Sequence, residues 1–329
     1  MKLSRLGEFG LIDRIGRKVT VGHGVRLGIG DDAAWVDHPR GSSLITADLL
    51  IEGIHFDLKW TTLVDLGYKS LAVNLSDIAA MGGVPAYVML SLGIPANFDS
   101  ENIDQLYRGI GSLAKQHGVT IIGGDTNIAE SLLISVCVIG HPPAHPIRRA
   151  GARVGDDLYV TGTLGDSALG LALLRDHQQA PTRAVKQLIA RHHRPTPRLA
   201  AGALLAKHKL ASAMIDISDG LIQDLGHICE MSGSGATIEQ DKLPLSPAYR
   251  LLAGKNGMNY ALSGGEDYEL LFAAAPRLRK KIEALSKHAR VAISRIGSCT
   301  PARNGIQLVD SAGGKIAIRA QGHDHFKKN

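Results

Sequence analysis

Hydrophobic and polar residues alternate along the chain in blocks that predict strands and helices in turn. The first half is predicted to contain strands at 43–50, 86–92, 119–122 and 132–139 and helices at 63–81 and 99–117. The second half is predicted to contain strands at 157–161, 213–217 and 269–273 and helices at 166–174, 221–231 and 276–285. Because strands and helices alternate in both halves, the sequence predicts an α/β fold, with more helix in the second half.

A proline-rich stretch separates the two halves. The segment between Gly140 and Gly151 reads GHPPAHPIRRAG, and its three prolines are incompatible with a regular helix or a central strand. The chain has 329 residues, which is long enough for about two domains. We therefore expect an N-terminal α/β domain at 1–140, a connector at 141–150 and a C-terminal α/β domain at 151–329.

The charge of the chain gives weak support to a nucleic-acid partner. Lys and Arg number 37 and Asp and Glu number 31, so the net charge is +6. The basic residues are scattered, apart from short groups at 277–281 and 192–194, and no aromatic stacking motif lies among them. A basic surface that attracts phosphorylated metabolites is the simpler interpretation, and we expect no nucleic-acid partner.

Cysteine usage and the N-terminus favour a soluble cytoplasmic protein. The three cysteines, Cys137, Cys229 and Cys299, are odd in number and far apart, so neither a disulfide framework nor a Cys-rich zinc site is predicted. The first residues lack the apolar core of a secretory signal. The longest apolar runs, such as 132–140, are far shorter than the roughly 18 residues of a membrane span, so we expect no membrane association.

Acidic residues recur beside glycines and apolar runs. Six such segments are GIGDDA (28–33), LITAD (44–48), NLSD (74–77), IIGGD (121–125), DISDG (216–220) and SGGED (263–267). We expect them at the ends of strands and the starts of helices. A single aspartate there is more often a helix N-cap than a ligand, and Asp219 before a predicted helix is the best example.

Six acidic segments in one chain favour a metal site, because clustered carboxylates repel one another and need cations to coexist. Oxygen ligands without cysteine favour Mg²⁺ over zinc. Mg²⁺ held by few carboxylates commonly shares its coordination shell with phosphates, which points to a nucleotide. The chain lacks the GxxxxGK[ST] phosphate loop, the HRD and DFG motifs of protein kinases, and the EF-hand spacing. Any phosphate chemistry must therefore use another architecture.

The ordered set of motifs resembles a known family. GEFGLI, GIGDDA, TAD followed by His55, YKSLAVNLSDIAAMGG, IIGGDT, RAGA, DISDGL, ALSGGEDYEL and GHDHF span nearly the whole chain. They are similar to the thiamine-monophosphate kinases, within the aminoimidazole-ribonucleotide-synthetase-like superfamily. The resemblance implies ATP-dependent phosphorylation of thiamine monophosphate to thiamine diphosphate. It also implies a two-domain fold whose N-terminal sheet forms a barrel-like core with a second subunit, with ATP and Mg²⁺ between the domains.

The resemblance further implies three groups of site residues. Expected metal ligands are Asp32, Thr46, Ala47, Asp48, Asp77, Asp125, Asp216 and Asp219; expected ATP contacts are Gly124, Asp125, Arg149 and Ser218; expected substrate contacts are His55, Glu266 and His323. The family commonly has an aromatic residue where this chain has His323. It often has a hydroxyl residue at the position of Ala47, so a metal contact there would require the main-chain carbonyl.

The implied reaction fits an acid-rich site without a general base. A phosphate monoester has a second pKa near 6, so its attacking oxygen is already mostly anionic at neutral pH. Two unit charges 4 Å apart repel by about 4 kcal/mol at an effective dielectric of 20, which would slow the reaction roughly a thousandfold. Several Mg²⁺ ions would offset this repulsion. We therefore expect direct in-line transfer with no phosphoenzyme and no covalent or general-base residue.

Several residues also have simpler interpretations. Arg149 could be an exposed linker arginine, His55 a surface histidine, Glu266 a turn cap, and Lys69 a solvated or carboxylate-paired lysine. Among related enzymes, aminoimidazole-ribonucleotide synthetase is the leading alternative. Selenophosphate synthetase would need an N-terminal reactive cysteine, and the hydrogenase-maturation dehydratase would need a C-terminal one. A non-catalytic binder of nucleotides or thiamine phosphates, or a nucleic-acid-binding protein, is the alternative outside the enzymes.

Overall fold

The structure is a computed structural model that describes residues 3–19, 22–176, 182–254 and 257–318. Its helices are α1 Leu3–Gly16, α2 Leu63–Ala80, α3 Ser100–His117, α4 Asp166–Arg175, α5 Arg183–His193, α6 Leu199–Lys207, α7 Leu221–Ser232, α8 Pro247–Leu252, α9 Gly257–Ser263 and α10 Arg279–Ala289. Its strands are β1 Val25–Leu27, β2 Ala34–His38, β3 Gly41–Ile51, β4 Val84–Ile94, β5 Thr120–Ile128, β6 Leu133–His141, β7 Asp157–Thr161, β8 Ala213–Asp216, β9 Ser234–Glu239, β10 Leu270–Ala274, β11 Ile293–Pro301, β12 Ile306–Val309 and β13 Lys315–Ile316.

The first half forms a six-stranded mixed sheet in the order β1-β2-β3-β6-β4-β5. Neighbouring strands run antiparallel except β4 and β5, which are parallel. Helix α2 lies on one face and buries most of its own residues. Thr62 caps α2, because its hydroxyl accepts the amide hydrogen of Asp65. The register of α2 fixes where Asp77, near the C-terminal end of the helix, faces the sheet.

Helices α2 and α3 cross at two glycines. An added Cβ at Gly67 would lie 2.0 Å from the carbonyl oxygen of Leu106, and one at Gly109 would lie 1.9 Å from that of Val64. Only glycine allows the two backbones to approach this closely. The crossing therefore holds α2 against the sheet through backbone contact.

The opposite face of the first sheet lies open. Along β4, Val88 and Leu90 are buried whereas Tyr87 and Met89 are 43% and 41% exposed. Leu49 on β3 also points to this open face. The edge strand β5 is exposed along its whole length. A single chain thus leaves an apolar sheet face uncovered.

The second half forms a seven-stranded mixed sheet in the order β13-β12-β9-β11-β7-β10-β8. Strands β7, β8 and β10 are buried throughout, with Val160, Ile215 and Phe272 in the core. Helix α6 packs on α2 of the first half, since a Cβ at Gly202 would lie 2.1 Å from the Ala79 carbonyl oxygen. The two halves are therefore in direct backbone contact beside Asp77.

The α/β prediction is confirmed, with differences in individual elements. Strands β9, β11 and β12 were not predicted, and they widen the second sheet. The strand predicted to end at 122 continues through Gly123, Gly124 and Asp125 to Ile128, because it pairs with β4 along this length. In the described part of the chain, no helix is both long and apolar enough to cross a membrane.

The acidic segments do not all lie where strands end and helices begin. DISDG does, between β8 and α7, but LITAD lies within β3 and NLSD within α2. GIGDDA connects β1 to β2, and SGGED connects α9 to β10. The expectation of a common position at strand ends is therefore wrong, and the tertiary fold brings several of the segments together instead.

Candidate active site

Three aspartates from different elements meet at the junction of the two halves. Asp32 lies in the loop before β2, Asp77 near the end of α2, and Asp216 at the end of β8. Each offers one carboxylate oxygen, and these oxygens lie within 4.8 Å of one another. The close contact of α2 with the second half makes this meeting possible.

The three carboxylates form an electrostatically unfavourable group. Asp32 and Asp216 are only 7% and 3% exposed, and Oδ2 of each is buried with no hydrogen-bond partner. Burial and the charge of Asp32 raise the pKa of Asp216 to about 7. Burial and the neighbouring aspartates also raise the pKa of Asp77 well above its usual value. A hard divalent cation such as Mg²⁺ fits these unpartnered oxygens.

Strand β3 brings Thr46 and Asp48 to the same group. Residues two apart on a strand share a face. The Thr46 hydroxyl donates a hydrogen bond to Asp77, and the Asp48 amide donates one of 3.2 Å to the Asn74 side chain. Burial raises the pKa of Asp48 to about 6. Ala47 lies between them on the exposed face, so only its main chain can approach the carboxylates.

Arg149 lies against the loop that carries Asp32. Its Nη2 donates to Oδ1 of Asp32 at 2.8 Å, and its backbone amide lies 3.3 Å from both carboxylate oxygens of Asp31. The side chain is mostly buried. The interpretation as an exposed linker arginine is therefore wrong. Asp31 was not predicted as a site residue, although the motif GIGDDA contains it; burial and the charge of Asp32 raise its pKa to about 7.

Gly124 and Asp125 lie apart from this group in a single chain. Both are on the exposed edge strand β5, and strands β6 and β4 separate it from β3. The Asp125 carboxylate accepts hydrogen bonds from the Thr126 amide and the Asn127 side chain. A Cβ at Gly124 would lie 1.7 Å from the Leu90 carbonyl oxygen. Strand packing alone therefore requires glycine at this position.

The loop between β8 and α7 carries two further predicted residues, Ser218 and Asp219. Asp224 in the first turn of α7 accepts the amide hydrogens of Asp219 and Gly220, at 3.2 and 3.0 Å. Asp219 instead accepts a hydrogen bond from Gln223. Asp224 therefore fixes the loop that precedes the helix. The N-cap of α7 is Gly220, so the expectation of Asp219 as an N-cap is wrong, and the Asp219 side chain lines the neighbouring cleft.

A cleft of about 1040 Å³ is lined both by carboxylates of this group and by aromatic, apolar and basic side chains. Its acidic end is lined by Asp48, Asp77, Asp216, Ser218 and Asp219. The remaining lining residues include His55, Phe56, Trp60, Leu171, Arg175, His192, Glu266 and Tyr268. Trp60, Leu171 and Arg175 were not predicted, since each lies outside the acidic motifs and reaches the cleft only through tertiary packing. His323 lies outside the described residues.

His55 and Glu266, both predicted to contact substrate, also line the cleft. Nδ1 of His55 accepts the Ile51 amide hydrogen at 3.0 Å, which fixes the ring. The Glu266 carboxylate lies 2.6 Å from Lys69 Nζ and 3.2 Å from His192 Nδ1. Burial alone would raise the pKa of Glu266, but these two neighbours hold it well below its usual value. The prediction of a carboxylate partner for Lys69 is confirmed.

Comparison with known proteins identifies relatives of the whole chain. Residues 30–141 match the model of the AIR synthase related protein N-terminal domain, and residues 153–309 match that of the C-terminal domain. The thiamine-monophosphate kinase of Escherichia coli K12 is 40% identical over 97% of this chain and 98% of that protein.

Solved structures resemble this chain in both fold and sequence. The structure of AaThiL complexed with AMPPCP and TMP is 34% identical, with a TM-score of 0.86 and 99% of each chain covered. The thiamine-monophosphate kinase of Stenotrophomonas maltophilia K279a is 39% identical, with a TM-score of 0.77 over 92% of this chain and 96% of that chain. These relatives cover both halves and the cleft between them, and the chain belongs to the thiamine-monophosphate kinase family.

Proposed function

We propose that the protein transfers the γ-phosphoryl group of ATP to thiamine monophosphate within the cleft between its two halves. The continuity of the cleft carries the proposal. Carboxylates suited to metal-bound phosphates and aromatic and apolar side chains suited to a heterocycle line one cavity of about 1040 Å³. A phosphoryl acceptor that carries an aromatic ring could therefore contact both kinds of side chain.

The acidic end would hold magnesium. Asp32, Asp77 and Asp216 would supply carboxylate ligands, with Asp48 and Asp219 beside them. Bound there, Mg²⁺ would supply the positive charge that lets two phosphate groups approach. The proposal is supported by the oxygens of Asp32 and Asp216 that lack a hydrogen-bond partner, which a bound cation would satisfy.

Arg149 and Ser218 would bind the nucleotide phosphates from the side of the second half. Arg149 is already oriented by Asp32, and a fixed guanidinium suits phosphate oxygens. Ser218 lines the cleft beside Asp219. Because the acceptor phosphate is already anionic at neutral pH, these residues orient the reactants and no proton acceptor is required.

The aromatic part of the lining would bind the thiamine moiety. Trp60, Phe56 and Tyr268 line the cleft, and a cationic thiazolium is attracted to aromatic faces and carboxylates. His55 and Glu266 add polar groups on either side. The site would thus offer the cationic heterocycle both aromatic side chains and a carboxylate.

The protein would act as a homodimer whose N-terminal sheets form a barrel-like core. The support is the uncovered sheet face with Tyr87, Met89 and Leu49, since an apolar face of this kind marks an interaction surface. A second copy would also cover the exposed edge strand β5 that carries Asp125.

The first test is conversion of thiamine monophosphate to the diphosphate with matched release of ADP. Asp48→Asn is expected to reduce kcat/KM at least about a hundredfold, because it removes a charge from the acidic end. Asp104→Asn on the exposed side of α3 serves as the control and is expected to keep full activity. Equal turnover by wild type and Asp48→Asn, or a phosphorylated side chain after incubation with ATP, would contradict the proposal.

A further inference from the structure

The carboxylate of Glu266 is held from behind by Lys69. Lys69 comes from α2 in the first half, and its Nζ lies 2.6 Å from Glu266 Oε1. The Lys69 side chain is 2% exposed, whereas that of Glu266 is 28% exposed and lines the cleft. The lysine therefore contacts the carboxylate on the side away from the cavity.

His192 from α5 holds the other oxygen of the same carboxylate. Its Nδ1 lies 3.2 Å from Glu266 Oε2 and 3.1 Å from the Ser167 hydroxyl. Burial and the neighbouring Lys69 lower the pKa of His192, so the ring is neutral near pH 7. The Glu266 carboxylate is therefore ionised and lies between Lys69 and a neutral imidazole.

The backbone around Glu266 is also constrained. Glu266 has a φ of +66°, which is unfavourable for a residue other than glycine. Its amide donates a 2.7 Å hydrogen bond to the Ser218 carbonyl, and a Cβ at Gly265 would lie 2.4 Å from the same oxygen. The loop is therefore fixed against the segment that carries Ser218 at the acidic end.

We propose that Lys69 is a positioning residue for thiamine monophosphate, which acts by fixing the Glu266 carboxylate toward the substrate heterocycle. This inference rests on the proposed substrate contact of Glu266. Lys69 itself does not touch the substrate, because the carboxylate stands between its ammonium group and the cavity. Of the two partners only Glu266 lines the cleft, so Lys69 can influence a ligand there only through the carboxylate.

The test is a double-mutant cycle with Lys69→Met and Glu266→Gln, in which KM is measured separately for thiamine monophosphate and for ATP. Lys69→Met is expected to raise KM for thiamine monophosphate about tenfold and to leave KM for ATP within about twofold. The double variant is expected to match Glu266→Gln, because Lys69 acts only through that carboxylate. Lys242→Met, which removes an exposed lysine paired with Glu239, is the matched control and should match wild type.

The outcomes separate the two proposals. An unchanged KM for thiamine monophosphate in Glu266→Gln would contradict the proposed contact between Glu266 and the substrate. A raised KM in Glu266→Gln with no change in Lys69→Met, or effects that multiply in the double variant, would overturn the role of Lys69. If Lys69→Met does not fold, the double variant still tests the inference, because it leaves neither the lysine nor the glutamate as an unpaired buried charge. A KM for thiamine monophosphate far above that of Glu266→Gln would overturn the inference.

Discussion

The buried aspartates of the cleft store an electrostatic cost that a ligand can remove. Asp216 has an oxygen without a partner and lies beside Asp32 and Asp77. Burying a carboxylate without compensation is unfavourable, and like charges nearby increase the cost. The site is therefore built for binding at the expense of stability.

Asp216→Asn should stabilise the metal-free protein in a pH-dependent way. An unfolded aspartate has a pKa near 3.9, whereas burial and Asp32 raise that of folded Asp216 to about 7. Between these values the folded wild type binds more protons than the unfolded chain, so it loses stability as pH rises. The advantage of the variant should therefore grow from about pH 4 to about pH 7, by at most about 1.4 kcal/mol per pH unit, and level off above.

Urea unfolding of both proteins with a chelator present measures this difference. Saturating Mg²⁺ should reverse its sign, because the wild type gains binding energy that the variant lacks. A difference that stays flat across pH 4 to 7, or that shrinks as pH rises, would show that Asp216 is not a buried acid of raised pKa.

Part of this site could be predicted from the residues alone. Asp32, Asp77 and Asp216 lie in the acidic motifs and were predicted as metal ligands, and the fold brings them together. The separate position of Asp125 could not be predicted, because strand order places β5 at the sheet edge and no local pattern encodes strand order. The contact between Lys69 and Glu266 joins residues nearly 200 positions apart in sequence and depends on the packing of the two halves.

At the level of elements, the contact between α2 and α3 decides how firmly Asp77 is held. The two helices touch through Gly67 and Gly109, where no other residue fits. Helix α3 was predicted well because it has strong apolar periodicity, and α2 because it is a long, mostly apolar segment; each begins after an N-cap residue. Strands β9 and β11 were missed because their sequences, SGATIE and ISRIGSCTP, contain residues that are typical of loops, glycine and serine in both and proline in β11, and β12 was missed because it has only four residues.

Gly109→Ala and Gly111→Ala should have opposite effects on stability. A methyl group at 109 would lie 1.9 Å from the Val64 carbonyl oxygen, so α3 must move and stability falls by about 2 kcal/mol or more. At 111 nothing lies within 4 Å, so alanine should stabilise α3 by up to about 1 kcal/mol.

Thermal and urea unfolding of the two variants compare the same substitution two positions apart on one helix. Activity should fall in Gly109→Ala, because α2 carries Asp77, and should be kept in Gly111→Ala. If both alanines changed stability equally, the close approach of α2 and α3 would have no energetic role.

At the level of the whole molecule, the open sheet face determines the expected assembly. Met89→Lys places a charge in the middle of this face and should convert a dimer into a monomer, because burying an unpaired ammonium group in an apolar interface is costly. Leu251→Lys replaces a leucine that is 74% exposed on α8 and is expected to leave the dimer intact. Sedimentation analysis distinguishes the two; a wild-type protein that is monomeric at micromolar concentration would contradict the prediction.

Helix α2 also sets a length scale for the reaction. Lys69 and Asp77 lie on the same side of this one helix, eight residues or about 12 Å apart along its axis. The carboxylate proposed to face the heterocycle and the carboxylates proposed to face the phosphates are thereby positioned by a single rigid helix. In an acceptor with one or two extra methylene groups between ring and phosphate, the phosphate would lie beyond the transfer position. The site is therefore expected to select its acceptor by length as well as by the chemistry of its two ends.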